Sequence, residues 1–463
     1  VALLVTLTYK MAPDQAILCL MCLYCGAIYG GSRTAILLSI PGTPASAATT
    51  LDGHPLALQG KAGTAMGLAT TSSTLGTIVG IIALALIAPL LAEAALKFGT
   101  YEFFWLALFG VIISGQLTAI DDPLKGYIAG ILGLLVAMVG METLHAHQRF
   151  TFGIPALGGG IDLIPAMVGA FGFAEILGVM KRTAQARIVS SGDRVVPRLS
   201  EVFKYKWTTI RSGIIGTFVG IVPGVGEDVG AWASYAAAKR TSKERHLFGK
   251  GSQEGLIAAE TGNSAVIPGA MIPTLTLALP GSAAAAVLIA AMFIHGIRPG
   301  PLLMTENPEF LYQIVAILLF STLAMLVFGL TLTRPLLTVL SVPRERLMAV
   351  VYVLCVVGSF AITQRMFDVY VMVGFGIAGF ILREMKYPMA PLVLGIILGD
   401  LLDLNLRRGL LLTNGDPSPF FTRPISAVIC LVIVLTILMS IPAVSTRVRS
   451  LFNRGRGDAS AQG

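Results

Sequence analysis

Charge is scarce in this chain. Only 13% of its 463 residues are Asp, Glu, Lys or Arg, whereas a soluble domain carries about a quarter. That shortage excludes an ordinary water-covered surface. Cysteine is scarce too, and five residues are too few to staple a chain of this length with disulfides. Cys19, Cys22 and Cys25 fall in an apolar run with no His or acid beside them, so they read as buried small hydrophobes. There are five histidines, and His145-Ala146-His147 lacks the His-x-x-x-His spacing of a helical metal pair. The net charge of +8 does not point to nucleic acid, because the basic residues sit in short loops between apolar runs.

Apolar residues fill the place of the missing charge. The chain is 55% hydrophobic, with a mean hydropathy of +0.80. Its polar remainder is largely Gly, Ser and Thr, with 51 glycines and 24 prolines. This mixture suits transmembrane helices that pack closely and in places break. Segments long enough to span are expected near 15–30, 64–95, 101–118, 124–142, 162–180, 309–333, 345–363, 367–382 and 424–442. Interrupted apolar segments fall at 32–51, 212–238, 261–279, 282–298 and 387–400. The 64–95 run is either one tilted helix or a bent pair.

Two Pro-Gly breaks stand inside such runs, Ser39-Ile40-Pro41-Gly42-Thr43-Pro44-Ala45-Ser46 and Ala278-Leu279-Pro280-Gly281-Ser282, with their prolines 239 residues apart. Each break frees backbone groups that hydrocarbon cannot satisfy. Matching breaks in two halves of a chain are the sequence mark of a secondary transporter's binding site. A second echo, Gly99-Thr100-Tyr101-Glu102-Phe103 against Asn307-Pro308-Glu309-Phe310, has a spacing of 207, which gives the first half 32 extra residues after its break.

The basic stretch 181–211 is expected to be a cytoplasmic linker between repeats. Lys239, Arg240, Lys243, Arg245 and Lys250 make a second basic loop. If both are cytoplasmic, 212–238 must enter and return, which suits a re-entrant hairpin turning at Pro223-Gly224-Val225-Gly226; a single crossing is the alternative. The reading is an all-α polytopic membrane protein with two repeats, broken helices or re-entrant hairpins, and about 10–12 membrane segments. The first repeat is expected over 1–180, the second over 212–445, and a polar tail over 446–463. The first repeat is expected to be N-terminally incomplete: the chain opens at Val1 inside an apolar run, and the 239 spacing places the partner of Pro223 before it.

An ordered set of short motifs carries a family resemblance. It comprises Tyr29-Gly30-Gly31-Ser32, Ile40-Pro41-Gly42, Leu51-Asp52-Gly53, Gln59-Gly60-Lys61-Ala62-Gly63, Val222-Pro223-Gly224-Val225-Gly226, Phe248-Gly249-Lys250-Gly251, Leu279-Pro280-Gly281-Ser282 and His295-Gly296-Ile297-Arg298-Pro299-Gly300-Pro301. Phe367-Asp368-Val369, Ala390-Pro391-Leu392 and Gly415-Asp416-Pro417-Ser418 continue it towards the C-terminus. The set resembles the large membrane subunit of tripartite tricarboxylate transporters. That resemblance implies a bacterial inner-membrane carrier driven by a Na+ or H+ gradient. It further implies a small membrane subunit, a periplasmic solute-binding protein, and a tricarboxylate such as citrate, or a related small organic acid, as substrate. Three features depart from the family pattern: an earlier Pro-Gly element is missing, Glu227-Asp228 stand where small residues are common, and Asn263 stands alone where two adjacent asparagines are frequent.

Helix N-termini offer unpaired N–H groups and partial positive charge to a carboxylate. Gly42, Thr43 and Ser46 after the first break, and Gly281 and Ser282 after the second, are therefore expected to bind substrate, with Asn263 nearby. Bulky residues at Gly42 or Gly281 are expected to abolish uptake. Oxygens for a coupling ion are expected from Ser39, Ser264, Thr274, Glu227 and Asp228, with Thr49 near the first break; Ser/Thr packing is the alternative. Glu227 and Asp228 either hold a cation, screen substrate or cap the following helix. Arg33 either pairs a substrate carboxylate or snorkels. Glu175 and Glu260 are acids within apolar runs, and Glu260 is expected near the interface. No enzyme activity, organic cofactor or further metal is expected. The rival readings are a passive organic-anion channel and an intramembrane hydrolase using Ser32, Ser282, His54 or His295.

Overall fold

The computed structural model describes residues 1–119, 122–142, 146–181, 193–333 and 344–440. The expected tail 446–463 lies outside these residues, as do 182–192 of the expected linker and His145. The described chain is helical apart from one two-residue antiparallel pairing, Gly140–Met141 with Gln148–Arg149. Among the described residues seven helical stretches are long and apolar enough to cross a bilayer, and four shorter apolar helices accompany them. The expected all-α polytopic membrane architecture is therefore what the chain forms.

Ten helices position the site. They are α1 (Pro13–Leu38), α2 (Ser46–Leu56), α3 (Ala62–Ala95), α4 (Thr100–Thr118), α5 (Lys206–Ile221), α6 (Gly226–Thr241), α7 (Gln253–Leu277), α8 (Ala283–Ile294), α9 (Glu309–Thr331) and α10 (Met389–Leu412). Pro13 opens α1 at a position where its missing N–H costs nothing. Ser252 caps α7 by accepting from the Gly255 N–H at 3.1 Å. Between α2 and α3 the chain makes a π-turn over Ala57–Lys61, and Gly60 takes φ +79. The 64–95 run is thus one helix, α3, and the bend falls just before it, where a glycine permits the left-handed conformation. After the first break the chain runs through α2, α3 and α4; after the second, α8 leads to α9 through one short helix, Pro301–Glu306.

At the centre lies α7. Every residue from Glu254 to Leu277 is buried. It carries Glu254, Glu260 and Asn263, which a lipid-facing helix would not hold, and it is absent from the apolar spans. Helices α2, α3, α5 and α6 enclose it. Glycines let them approach: a Cβ on Gly220 of α5 would lie 2.7 Å from the Val266 carbonyl, and one on Gly262 would lie 2.7 Å from the Gly230 carbonyl of α6. Close approach of small residues is how helices gain packing energy where lipid offers no hydrophobic drive. A second group of helices, α4, α10 and Pro123–Ala137, packs beside this bundle.

The segment 212–238 forms a hairpin. Helices α5 and α6 have 16 residues each and turn at Val222–Val225. Sixteen residues rise about 24 Å, short of the ~30 Å hydrocarbon core.

Candidate functional site

The two Pro-Gly breaks share one backbone design. Helix α1 ends at Ser39 with φ 56, ψ 26, and α7 ends at Ala278 with φ 56, ψ 28. Both are non-glycine residues in the left-handed region, a conformation that costs on the order of 1–3 kcal/mol and persists only where the surroundings fix it. The Thr34 carbonyl accepts from Ser39 and Ile40, and the Pro273 carbonyl accepts from Ala278 and Leu279. After each Pro-Gly a hydroxyl accepts the N–H three residues on: Thr43 from Ser46 at 3.3 Å and Ser282 from Ala285 at 3.2 Å. The pairs Ser39/Ala278, Thr34/Pro273 and Thr43/Ser282 all have the 239 spacing. Ser46 returns two bonds to Thr43, accepting from its N–H at 3.1 Å and donating to its carbonyl at 2.7 Å.

The surroundings of the breaks differ. Pro41 and Gly42 are exposed, and Thr43 is half-buried. Pro280, Gly281 and Ser282 are buried beneath the α5–α6 turn, where Gly224 N–H donates to the Pro280 carbonyl at 2.9 Å and Gly226 N–H to the Gly281 carbonyl at 3.1 Å. Both glycines are packed tightly as well. A Cβ on Gly42 would lie 2.7 Å from the Gly31 Cα, and one on Gly281 would lie 2.6 Å from the Ala270 Cα. Loss of uptake on enlarging either glycine would therefore have a packing cause beside any binding cause.

The N-termini of α2, α6 and α8 meet here. The Tyr24 hydroxyl of α1 donates to Glu227 at the start of α6 and lies 2.7 Å from Ser282 Oγ at the start of α8. The Asp228 carboxyl lies against the backbone of Ala45, just before α2. Glu227 is buried, and a hydroxyl donor on its carboxyl goes beyond the capping expected of an acid in a first helical turn.

Asn263 is fully buried, and neither its amide oxygen nor its amide nitrogen has a protein partner. An unpartnered buried amide costs about 1–3 kcal/mol for each group left bare. Its place follows from α7 itself. Leu256 lies near Gly53, and Glu260 is bonded by Thr49, so α7 and α2 run antiparallel. One turn beyond Glu260 on that face brings Asn263 level with the start of α2, beside the first break.

The other expected ligands separate. Thr274 is buried and donates to the Ala270 carbonyl at 2.6 Å within its own helix. Ser264 is buried on α7, and Ser39 is exposed at the end of α1. Glu260 corrects the expectation of an interfacial acid: it is wholly buried, bonded by Ser32 and Ser73 at 2.9 Å each and by Thr49. Arg33 corrects both of its readings. Its guanidinium is buried against Tyr29, Thr70, Thr333 and the Gly329 carbonyl, tying α1 to α9. Glu175 pairs with Arg383 at a partly exposed position. His54 bonds the Ile36 carbonyl at 3.0 Å and His295 lies 3.3 Å from Thr8, so neither histidine stands on Ser32 or Ser282.

Two motifs of the sequence prove to be one contact. Asp52 Oδ1 accepts from Gly249, Gly251 and Ser252 N–H groups at 2.8–2.9 Å, and Tyr235 donates to Oδ2 at 2.9 Å. This clasp joins α2 to the loop that begins α7.

Comparison with known proteins decides the family. The model of the tripartite tricarboxylate transporter TctA family matches residues 1–394. The chain belongs to that family. A relative from Agrobacterium vitis, described as an uncharacterized 52.8 kDa protein in the TAR-I ttuC' 3'region, is 35% identical over 431 residues, covering 92% of this chain and 85% of its own. A second from the same organism, described as an uncharacterized protein in the TAR-II ttuC' 3'region, is 32% identical over 238 residues, 51% of this chain and 98% of its own. No solved structure matches the chain. Membership makes this TctA-family chain a multi-pass membrane transport protein, and the family's name implies a system of three parts.

Proposed function

We propose that this TctA-family protein is the large membrane subunit of a carrier importing tricarboxylates or related small organic acids across the bacterial inner membrane. In this reading a Na+ or H+ gradient drives uptake, a periplasmic solute-binding protein delivers the acid, and a small membrane subunit completes the assembly. The two halves, 1–180 and 212–445, act as repeats that rock about the basic linker 181–211.

One observation carries the reading: three helix N-termini and an unpartnered buried amide gather at a broken-helix site within a membrane bundle. The N-termini of α2 and α8 present N–H groups to carboxylates, and the Asn263 amide adds a donor to an anionic or hydroxylated substrate. Thr43, Ser46, Ser282, Gly42 and Gly281 form the rim. Glu227 and Asp228 repel a bare carboxylate and so favour its arrival together with a cation or proton.

Reconstitution in liposomes with both partners tests this. Labelled citrate is expected to accumulate when an inward Na+ or H+ gradient is imposed, and Asn263→Leu is expected to abolish that accumulation. Citrate equilibrating downhill without response to either gradient would identify a channel instead. A binding protein that holds citrate, with no uptake by the assembled system, would overturn the carrier reading.

A further inference from the structure

Glu260 has no part in the broken-helix rim, yet it is the most completely enclosed acid described in α7, with no exposure at all. Three hydroxyls from three helices converge on it. Ser32 of α1 and Ser73 of α3 donate to Oε2 at 2.9 Å, and Thr49 of α2 donates to Oε1. Among the described residues its carboxyl has no salt-bridge partner. Arg33 is the charged group that faces it, and that guanidinium is committed to Tyr29, Thr70, Thr333 and the Gly329 carbonyl.

A buried carboxylate lacking a close counter-ion costs several kcal/mol. The hydroxyls reduce that cost but do not neutralise the charge. Each hydroxyl that donates its hydrogen retains oxygen lone pairs. Glu260 and its three partners therefore present a compact shell of hard oxygens with one negative charge. A small monovalent cation suits its ligand type and its single charge; beside Arg33 a divalent ion would leave a still larger excess of positive charge. On the same face of α7, one turn along, Asn263 holds an unpartnered amide oxygen.

We propose that Glu260, Ser32, Thr49 and Ser73 form a Na+ site. Its ligands come from both sides of the first break, α1 before it and α2 after it. Bound Na+ would draw Thr49 towards α7 and so fix the start of α2 at Ser46, one turn away. The binding part of this inference stands alone, whereas its coupling part rests on the transport reading above.

The test is Na+ binding to the purified full chain, followed by radiolabelled Na+ and by thermal stability with choline replacing Na+, at two pH values. Wild type is expected to show saturable binding and Na+-dependent stabilisation at both. Glu260→Gln is expected to lose both effects, and Ser73→Ala and Thr49→Val to weaken apparent Na+ affinity about 5–30-fold each. The two hydroxyl variants retain the acid and serve if Glu260→Gln does not fold. Undiminished Na+ affinity in all three variants would overturn the site. Stabilisation that follows pH alike in Na+ and choline would overturn it in favour of a proton. Intact Na+ binding in a wild-type system that takes up no acid would sink the transport reading and leave the site standing.

Discussion

Tyr24 is the residue that binds the parts of the rim together, and its hydroxyl reaches α6 and α8 at once. It sits in Cys22-Leu23-Tyr24-Cys25, where the sequence offered one signal: a buried tyrosine hydroxyl inside an apolar helix needs a polar partner. Tyr24→Phe keeps the ring and removes only the hydroxyl's contacts with Glu227 and Ser282. Loss of about 1–2 kcal/mol of orientation at Glu227 and Ser282 is expected to weaken apparent substrate affinity roughly 5–30-fold. Unchanged concentration dependence of uptake in proteoliposomes would show that the hydroxyl serves packing alone. Asn263 was legible by type, since an asparagine in an apolar run demands an explanation. Ser32 and Ser73 were not legible as partners of Glu260. Their bonds join positions 228 and 187 residues apart, and no local pattern encodes a contact at such separation.

Elements were read more easily than contacts. Pro-Gly chemistry is local, so both breaks and the α5–α6 turn announced themselves, and the unbroken course of α3 over 64–95 resolved the choice between one helix and a bent pair in favour of one helix. The two Glu-bearing echoes begin helices, α4 from Thr100 and α9 from Glu309, as their shared pattern suggests. Helix α7 was harder, because burial on all sides leaves no amphipathic stripe to find. In the loop between α6 and α7, Glu244 accepts from Lys204 at 3.0 Å and Tyr205 at 2.8 Å. Those bonds hold the Glu244 carboxyl below its usual range. A carboxyl so lowered contributes stability above its unfolded value and loses it as pH falls through the folded one. Wild type is therefore expected to exceed Glu244→Gln in unfolding free energy at neutral pH, by about 1 kcal/mol or less in a solvent-screened pair. The difference should close as pH falls through and below the ordinary carboxylate range. A gap independent of pH would assign the effect to shape rather than charge.

For the whole molecule, the Asp52 clasp and the Glu260 cluster both run between the two halves. The first half supplies α2 and the hydroxyls; the second supplies the α7 acid and the glycine-rich loop before it. Any rocking of one half against the other must carry these polar contacts along or exchange them. An ion bound at Glu260 would therefore weigh directly on which arrangement prevails.

The unequal burial of the two breaks has a consequence for what surrounds the protein. Ser39, Pro41 and Gly42 show irregular backbone at the surface, and oil cannot face such groups without leaving them thirsty. A wet vestibule, rather than an acyl chain, should therefore lap against the first break while the second stays dry. With the five native cysteines replaced, a membrane-impermeant thiol reagent is expected to modify Ser39→Cys rapidly and Ser282→Cys at least about tenfold more slowly. Equal modification of the two would mean that water reaches the floor as freely as the mouth.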